Sequence, residues 1–312
     1  MNRDPSPTLA IRPLFTDDVL SRLRRVILRS RRMANSGLSG EHRSLRKGPS
    51  PEFADFKAYT VGDDYRRIDW RAYARFDALY VRESEITTEF DVHVLVDVSR
   101  SMDWASDPGL PSKLRFALQL AGALGYLSLW HFDRLSITPV GSDAQRRFGP
   151  VQGRINIRPM LASLERLRAQ REGDLVAALS RLVHERRRAG ILLIVSDFLS
   201  EDLDRLETAM RGAVGRGWEI ALLQVSDPAE VDPARFPALA ETHQATDLES
   251  RAAMPIRGDA VSVAGYLERR ADWHGQLTRL GGGARTLHIE VSTEQPVDQS
   301  LVRLLRNVGL VS

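Results

Sequence analysis

Val92-His93-Val94-Leu95-Val96, running straight into Asp97-Val98-Ser99-Arg100-Ser101, is the stretch from which the rest of the chain can be read. Apolar, largely β-branched residues bounded by a polar cluster read as a buried strand, here Phe90 to Val96. The chain leaves that strand with one carboxylate and two hydroxyls at alternate positions. In a turn, this spacing aims three oxygens at one point. Ligands collect at the carboxyl ends of strands in open parallel sheets. Three small hard oxygens there suit a divalent cation, Mg²⁺ above all. The same five residues also read as a polar loop with an Asx-turn and a helix cap.

Outward from this stretch, strand and helix patterns alternate. Strands are expected over Arg134–Val140, Ile191–Val195, Trp218–Val225 and Ala284–Val291. Helices are expected over Pro111–Leu129, Ile155–Arg168, Asp174–Arg188, Asp202–Val214, Val261–Leu280 and Asp298–Val308, where apolar residues recur at helical spacing. Ile191-Leu192-Leu193-Ile194-Val195 is wholly apolar, as in the middle of a parallel sheet. The alternation predicts an α/β fold with a doubly wound, mainly parallel sheet. Two more carboxylates fall at turning points of this pattern. Asp197 lies just past the apolar strand, and Asp174 follows Gly173 at a helix start. If those loops share an edge with Asp97, three carboxylates converge with Ser99 and Ser101, and a divalent cation would relieve their repulsion.

Upstream the chain changes character. Val19, Leu20, Leu23, Val26 and Ile27 form the apolar stripe of a helix over Asp17–Arg32, with arginines crowding its other positions. Thr16 is its expected N-cap. Such a helix either docks its stripe on its own domain or lies against a membrane surface or a partner. Residues 33–50 read as a loop. Between Glu52 and Val81, Asp63, Asp64, Arg66, Arg67, Asp69 and Arg75 interleave with Phe53, Phe56, Tyr59, Tyr65, Trp70 and Tyr73. Acids nearly match bases, so an internal ion-pair network is expected rather than a phosphate groove. The chain divides into a basic amphipathic arm, 1–34, an extension, 35–90, and the α/β domain, 91–312.

Composition narrows the class. Of 312 residues, 43% are hydrophobic and 27% charged, the balance of a globular protein. There is no cysteine, which excludes disulfides, thiolate metal sites and cysteine nucleophiles. No apolar run approaches the ~20 residues of a membrane helix, and the N-terminus lacks the apolar segment of a signal peptide, so a cytoplasmic protein is expected. Net charge is +3 overall, but residues 1–50 carry 11 Lys and Arg against 4 Asp and Glu. That leader could meet nucleic acid, an acidic membrane or the acidic body of the chain itself. The seven histidines, His42, His93, His131, His184, His243, His274 and His288, show no ligand spacing.

Asp97-x-Ser99-x-Ser101 after a buried strand resembles the metal-ion-dependent adhesion site of von Willebrand factor A domains. That resemblance implies an Asp after the fourth strand, matched by Asp197, and a Thr on a later loop, where this chain offers Asp174. Glu52-Phe53, Tyr59-Thr60-Val61-Gly62-Asp63-Asp64, Arg67-Ile68-Asp69-Trp70 and Ala74-Arg75, in that order, resemble the signature of the bacterial family known as domain of unknown function 58. There the signature runs into a von Willebrand A-like domain. The resemblance covers about residues 35–230 and rests on several spaced elements. It implies a von Willebrand A-like, Rossmann-type domain behind a family-specific extension. It also implies MoxR-type AAA+ ATPases and other von Willebrand A proteins as partners, in assembly or chaperone-like work.

The expected function is a non-enzymatic, metal-dependent protein-interaction module. Asp97, Ser99, Ser101, Asp174 and Asp197 would hold Mg²⁺ or another divalent cation, and one coordination position would accept a partner's carboxylate. A metal-dependent phosphohydrolase is the first alternative, with Asp97 as nucleophile, but that chemistry wants a second Asp where Ser99 stands. A nucleic-acid binder using the basic N-terminus is the second, and it rests on charge alone.

Overall fold

The computed structural model describes residues 13–23, 53–59, 68, 70, 72–73, 78–84, 90–141, 147–170, 173–186, 188–199, 202–233, 243–246, 253–256 and 260–307. Two compact units emerge. One joins residues 1–39 to 90–312, and the other is residues 40–89. In the smaller unit, β1 (Phe53–Ala58) and β2 (Tyr80–Ser84) pair antiparallel. The ion-pair network expected of Asp63, Asp64, Arg66, Arg67, Asp69 and Arg75 lies outside the described residues.

The larger unit is built on six strands: β3 (Asp91–Asp97), β4 (Arg134–Val140), β5 (Phe148–Gln152), β6 (Ile191–Ser196), β7 (Glu219–Ser226) and, later in the chain, β10 (Thr286–Ser292). Their order is β10-β7-β6-β3-β4-β5, and every pairing is parallel except β4 with β5. A separate antiparallel pair, β8 (His243–Thr246) and β9 (Ala253–Ile256), lies between β7 and β10 in sequence. The doubly wound, mainly parallel sheet expected from the alternating pattern is the fold observed.

Alternation within each strand divides the core into two layers. Val92, Val94, Val96, Leu193, Val195, Ala221 and Leu223 face one way. They pack with α1 (Lys113–Trp130), α2 (Ile157–Glu165) and α7 (Val297–Asn307). Leu95, Leu192, Ile194, Ile220 and Leu222 face the other way. They pack with α3 (Leu175–Glu185), α4 (Leu203–Gly215) and α6 (Ala260–Leu280). A short helix, α5 (Pro228–Val231), follows β7. Burying both faces demands apolar side chains at successive strand positions, which is why Ile191–Val195 carries no polar residue.

Residues 17–23 are helical, and their apolar side is used internally. Leu14, Phe15 and Leu23 are buried in the α1 layer, with Val19 and Leu20 packed against it. Polar contacts fix this segment further. Leu14 N donates to Glu165 at 2.8 Å, Gln119 to Leu14 O at 2.9 Å, and Arg22 pairs with Asp298 at 3.1 Å. The rest of the expected helix, to Arg32, lies outside the described residues.

Helix α1 begins at Lys113, not Pro111, because Ser112 is its N-cap and accepts from Arg115 N at 3.2 Å. The antiparallel edge strand β5 had no sequence expectation. Its Gly149-Pro150 step breaks the alternation by which strands are recognised.

Candidate functional site

Topology decides where side chains can meet. From β3 the chain crosses to β4 on one side, while β6 flanks β3 on the other. The helices that follow β3 and β6, α1 and α4, pack on opposite faces of the sheet. Such a reversal opens a crevice between two strand ends, the place where open α/β sheets bind ligands. Val96 lies in register with Val195, so Asp97, the last residue of β3, and Asp197, just past β6, emerge side by side.

Asp97 is buried, yet both its oxygens are bonded. Oδ1 accepts Ser99 N at 2.8 Å, and Oδ2 accepts the Ser196 hydroxyl at 2.6 Å. The first of these bonds is an Asx-turn, which carries the chain from the strand into a 3₁₀ turn over Arg100–Met102. The turn places the Ser99 and Ser101 hydroxyls 2.9 Å apart. Burial, then the charge of Asp197, pushes the Asp97 carboxyl up to about 6, against the pull of its bonds to Ser196 and Ser99.

Asp197 is only 2% exposed, and it meets a cation that belongs to the chain. Lys113, the first residue of α1 and 1% exposed, places Nζ 2.8 Å from Asp197 Oδ2 and 2.6 Å from Glu230 Oε1. The other Asp197 oxygen accepts Leu199 N at 3.1 Å. Burial alone would lower the Lys113 pKa, but the two carboxylates outweigh it and hold the ammonium raised and protonated. Glu230 is set in place by a capping box. Asp227 accepts Ala229 N at 2.9 Å, and Glu230 Oε2 accepts Asp227 N at 2.9 Å. A third contact ties this box to the loop after β3, for Ser106 N donates to Asp227 at 3.0 Å.

Asp174 reaches the same sheet edge but does other work. Gln170 N bonds Val98 O at 2.7 Å, and Gly173 lies against Gly141 so closely that a β-carbon would fall 2.6 Å from its nitrogen. These approaches bring the start of α3 beside the Asp97 loop. The Asp174 carboxylate itself is exposed and N-caps α3, accepting Ala177 N at 2.7 Å, with Arg205 at 3.3 Å. The bond from Ala177 is the main reason its pKa is lowered. Of the five residues singled out in the sequence, four lie at or just past the carboxyl ends of β3 and β6, and the fifth spends its charge on a helix cap.

Two histidines without ligand spacing in the sequence do meet. His274 and His288 lie 5.2 Å apart and share Gln224 Oε1, at 3.2 and 2.9 Å. Burial, then His274, depresses His288 to about 4, and the two rings join α6 to the sheet through Gln224.

With this geometry in view, comparison with known proteins places the chain. The family described as "Protein of unknown function DUF58" matches residues 55–239. The chain belongs to the DUF58 family. Relatives include uncharacterised proteins of Mycobacterium bovis and of two strains of Mycobacterium tuberculosis, each 29% identical over 213 residues. The match takes in 67% of this chain and 66% of the length of those relatives. Among solved structures, the SpRpn10 VWA domain is similar with a TM-score of 0.40 and 8% identity, over 70% of this chain and 95% of that one.

The donor set of this DUF58 chain bears on the expected cation. Among the described residues, no three His, Asp or Glu side chains converge to hold a metal ion. A cation here would therefore lean on hydroxyl and water oxygens, a mixture Mg²⁺ accepts because it dehydrates reluctantly. Neighbouring ligands of an octahedral ion at ~2.1 Å stand about 3 Å apart. The Ser99 and Ser101 hydroxyls have that separation, beside a carboxylate whose burial disfavours an uncompensated charge. Asp97, Ser99 and Ser101 can supply oxygens to the ion, since Asp97 accepts only from neutral donors, whereas Asp197 is held by the Lys113 ammonium.

Proposed function

We propose that this chain is a non-enzymatic protein-interaction module that presents the carboxyl edge of its parallel sheet to a partner protein. The interaction depends on a divalent cation, Mg²⁺, held by Asp97, Ser99 and Ser101. One observation carries the reading: two serine hydroxyls 2.9 Å apart beside a buried carboxylate at the switch point of the sheet. When bound, Mg²⁺ supplies a hard centre with room for a carboxylate from the partner. The chain's own part is to hold the ligand loop rigid, through the Asx-turn on Asp97 and the Ser196 hydroxyl beneath it. Resemblance to the domain-of-unknown-function-58 signature supports a MoxR-type AAA+ ATPase as the partner, in assembly or chaperone-like work.

The test is capture of a purified MoxR-type ATPase from the same genome on the immobilised full chain, with Mg²⁺ and with a chelator. Capture by wild type in Mg²⁺ alone, lost in Asp97→Ala, is the expected result. Equal capture by Asp97→Ala removes the cation from the mechanism, and no capture under any condition removes this partner.

A further inference from the structure

Acidic residues stand at successive strand ends of the parallel edge: Asp97 closing β3, Asp197 after β6, and Asp227 and Glu230 after β7. One lysine stands among them. Lys113 is buried, and its ammonium bonds Asp197 and Glu230 within 2.8 Å. Removing either carboxylate from a buried ammonium is costly, so this arrangement is a committed one. Among the described residues, it leaves Asp97 bonded by Ser99 and Ser196 and paired with no cation. Asp197 is adjacent to Asp97 across the crevice, yet it faces Lys113 and Leu199 N with its two oxygens.

We infer that Lys113 is a tethered cation that competes with the divalent ion for Asp197, keeping that carboxylate out of the inner coordination sphere while the lysine is bonded to it. The inference rests on the cation site proposed above. Loading with Asp197 as a direct ligand requires the ammonium to move wholly onto Glu230. Glu230 is joined to the rest of the fold through the α5 capping box and through Tyr266, whose hydroxyl donates to Glu230 O at 2.9 Å. Beside it lies a cavity of about 220 Å³ lined by Asp197, Ser226, Glu230, Tyr266, Arg270 and Trp273. The lysine thus links occupation of the Asp97 site to the neighbouring cleft under α6. Its position also sets affinity: each anionic ligand added strengthens the hold on a hard cation, and Lys113 withholds one.

The test is Mg²⁺ calorimetry on the full chain, wild type against Lys113→Met and Glu230→Gln, with Eu³⁺ luminescence lifetimes to count bound waters. Lys113→Met frees Asp197. It should bind Mg²⁺ at least tenfold tighter and carry one bound water fewer on Eu³⁺. Glu230→Gln leaves the ammonium to Asp197 alone and should bind Mg²⁺ severalfold more weakly, with the wild-type water count. This second variant keeps the buried lysine paired, so the prediction survives if Lys113→Met fails to fold. Equal affinity and equal water count in wild type and Lys113→Met overturn the competition while the cation site stands. Tighter binding with an unchanged water count overturns it too, since charge alone would then explain the gain. Absence of Mg²⁺ binding in all three folded proteins overturns the cation site, and the competition with it.

Discussion

Replacing Asp97 by Asn removes a charge that the fold holds against its preference. Burial and the charge of Asp197 raise the carboxyl from an ordinary value of 3.8 to about 6. A rise of that size corresponds to about 3 kcal/mol between the two protonation states. Because the folded state favours the protonated form, this stabilisation is complete below about pH 4 and is lost as pH rises through 6. Above that, the wild type carries the full penalty and the Asn variant carries none. The amide has its own cost, since it turns an N–H toward either Ser99 N or the Ser196 hydroxyl, where oxygen accepted before. That mismatch costs about 1 kcal/mol at any pH. Asp97→Asn should therefore be about 1 kcal/mol less stable than wild type at pH 4 and about 2 kcal/mol more stable at pH 8. The second figure corresponds to a Tm roughly 4–8 °C higher. Urea unfolding in chelator across this range reads the difference directly. A stability difference that stays constant with pH would refute the reasoning, as would an Asn variant less stable at pH 8. Added Mg²⁺ should reverse the order at pH 8 by stabilising only the wild type.

His93 is buried against Trp218, and its pKa is lowered to about 4 by burial and then by Arg186, Arg147 and Arg134. The unfolded chain takes up the proton first as pH falls from 6.5, so roughly 3 kcal/mol should be lost by pH 4. His93→Leu should flatten that slope in the same urea titration, and an unchanged slope would point to another group. Leu23 is fully buried in the α1 layer, so Leu23→Ala should cost about 3 kcal/mol by chemical denaturation, and a cost near zero would mean the helix is not docked in solution. Asp174→Thr keeps a capping oxygen on α3, so calorimetry should show Mg²⁺ affinity unchanged and unfolding a loss of at most about 1 kcal/mol. Weaker Mg²⁺ binding in that variant would show that the carboxylate leaves its cap for the metal.

The order of the main strands and helices was legible because their signals are local. Val92–Val96 and Ile191–Val195 are apolar enough to need burial on both faces, and the helices between them repeat at helical spacing. Asp97, Ser99, Ser101 and Asp197 were legible because they sit directly beyond those strands. Lys113 was not singled out, since its role depends on two residues more than 80 positions away. Still, a cation at the first position of a helix opposes the helix dipole, and that misplacement was a usable sign. Asp227-Pro228-Ala229-Glu230 carried a second sign, the spacing of a capping box with proline just inside the helix. Asp174 shows the limit of position alone. Being at a helix start suits a cap as well as a ligand, and only the direction of the side chain separates the two. The meeting of His274 with His288 was illegible for a related reason: it is set by the packing of α6 against β10, which no local pattern states.

The docking of residues 14–23 bears on the order in which the chain can fold. Leu14 bonds Glu165, 151 positions later, and Arg22 bonds Asp298, near the end of the described chain. Made before α1, α2 and α7, this segment finds its seat only once those helices have followed it from the ribosome. Its apolar side, Leu14, Phe15 and Leu23, then stays uncovered until those helices are in place. Contacts of such separation slow folding, because the loop must close before they can form. The arginines that flank those apolar positions, Arg22 and Arg24 among them, keep the waiting segment charged. Like charge on neighbouring nascent chains opposes their association during that interval.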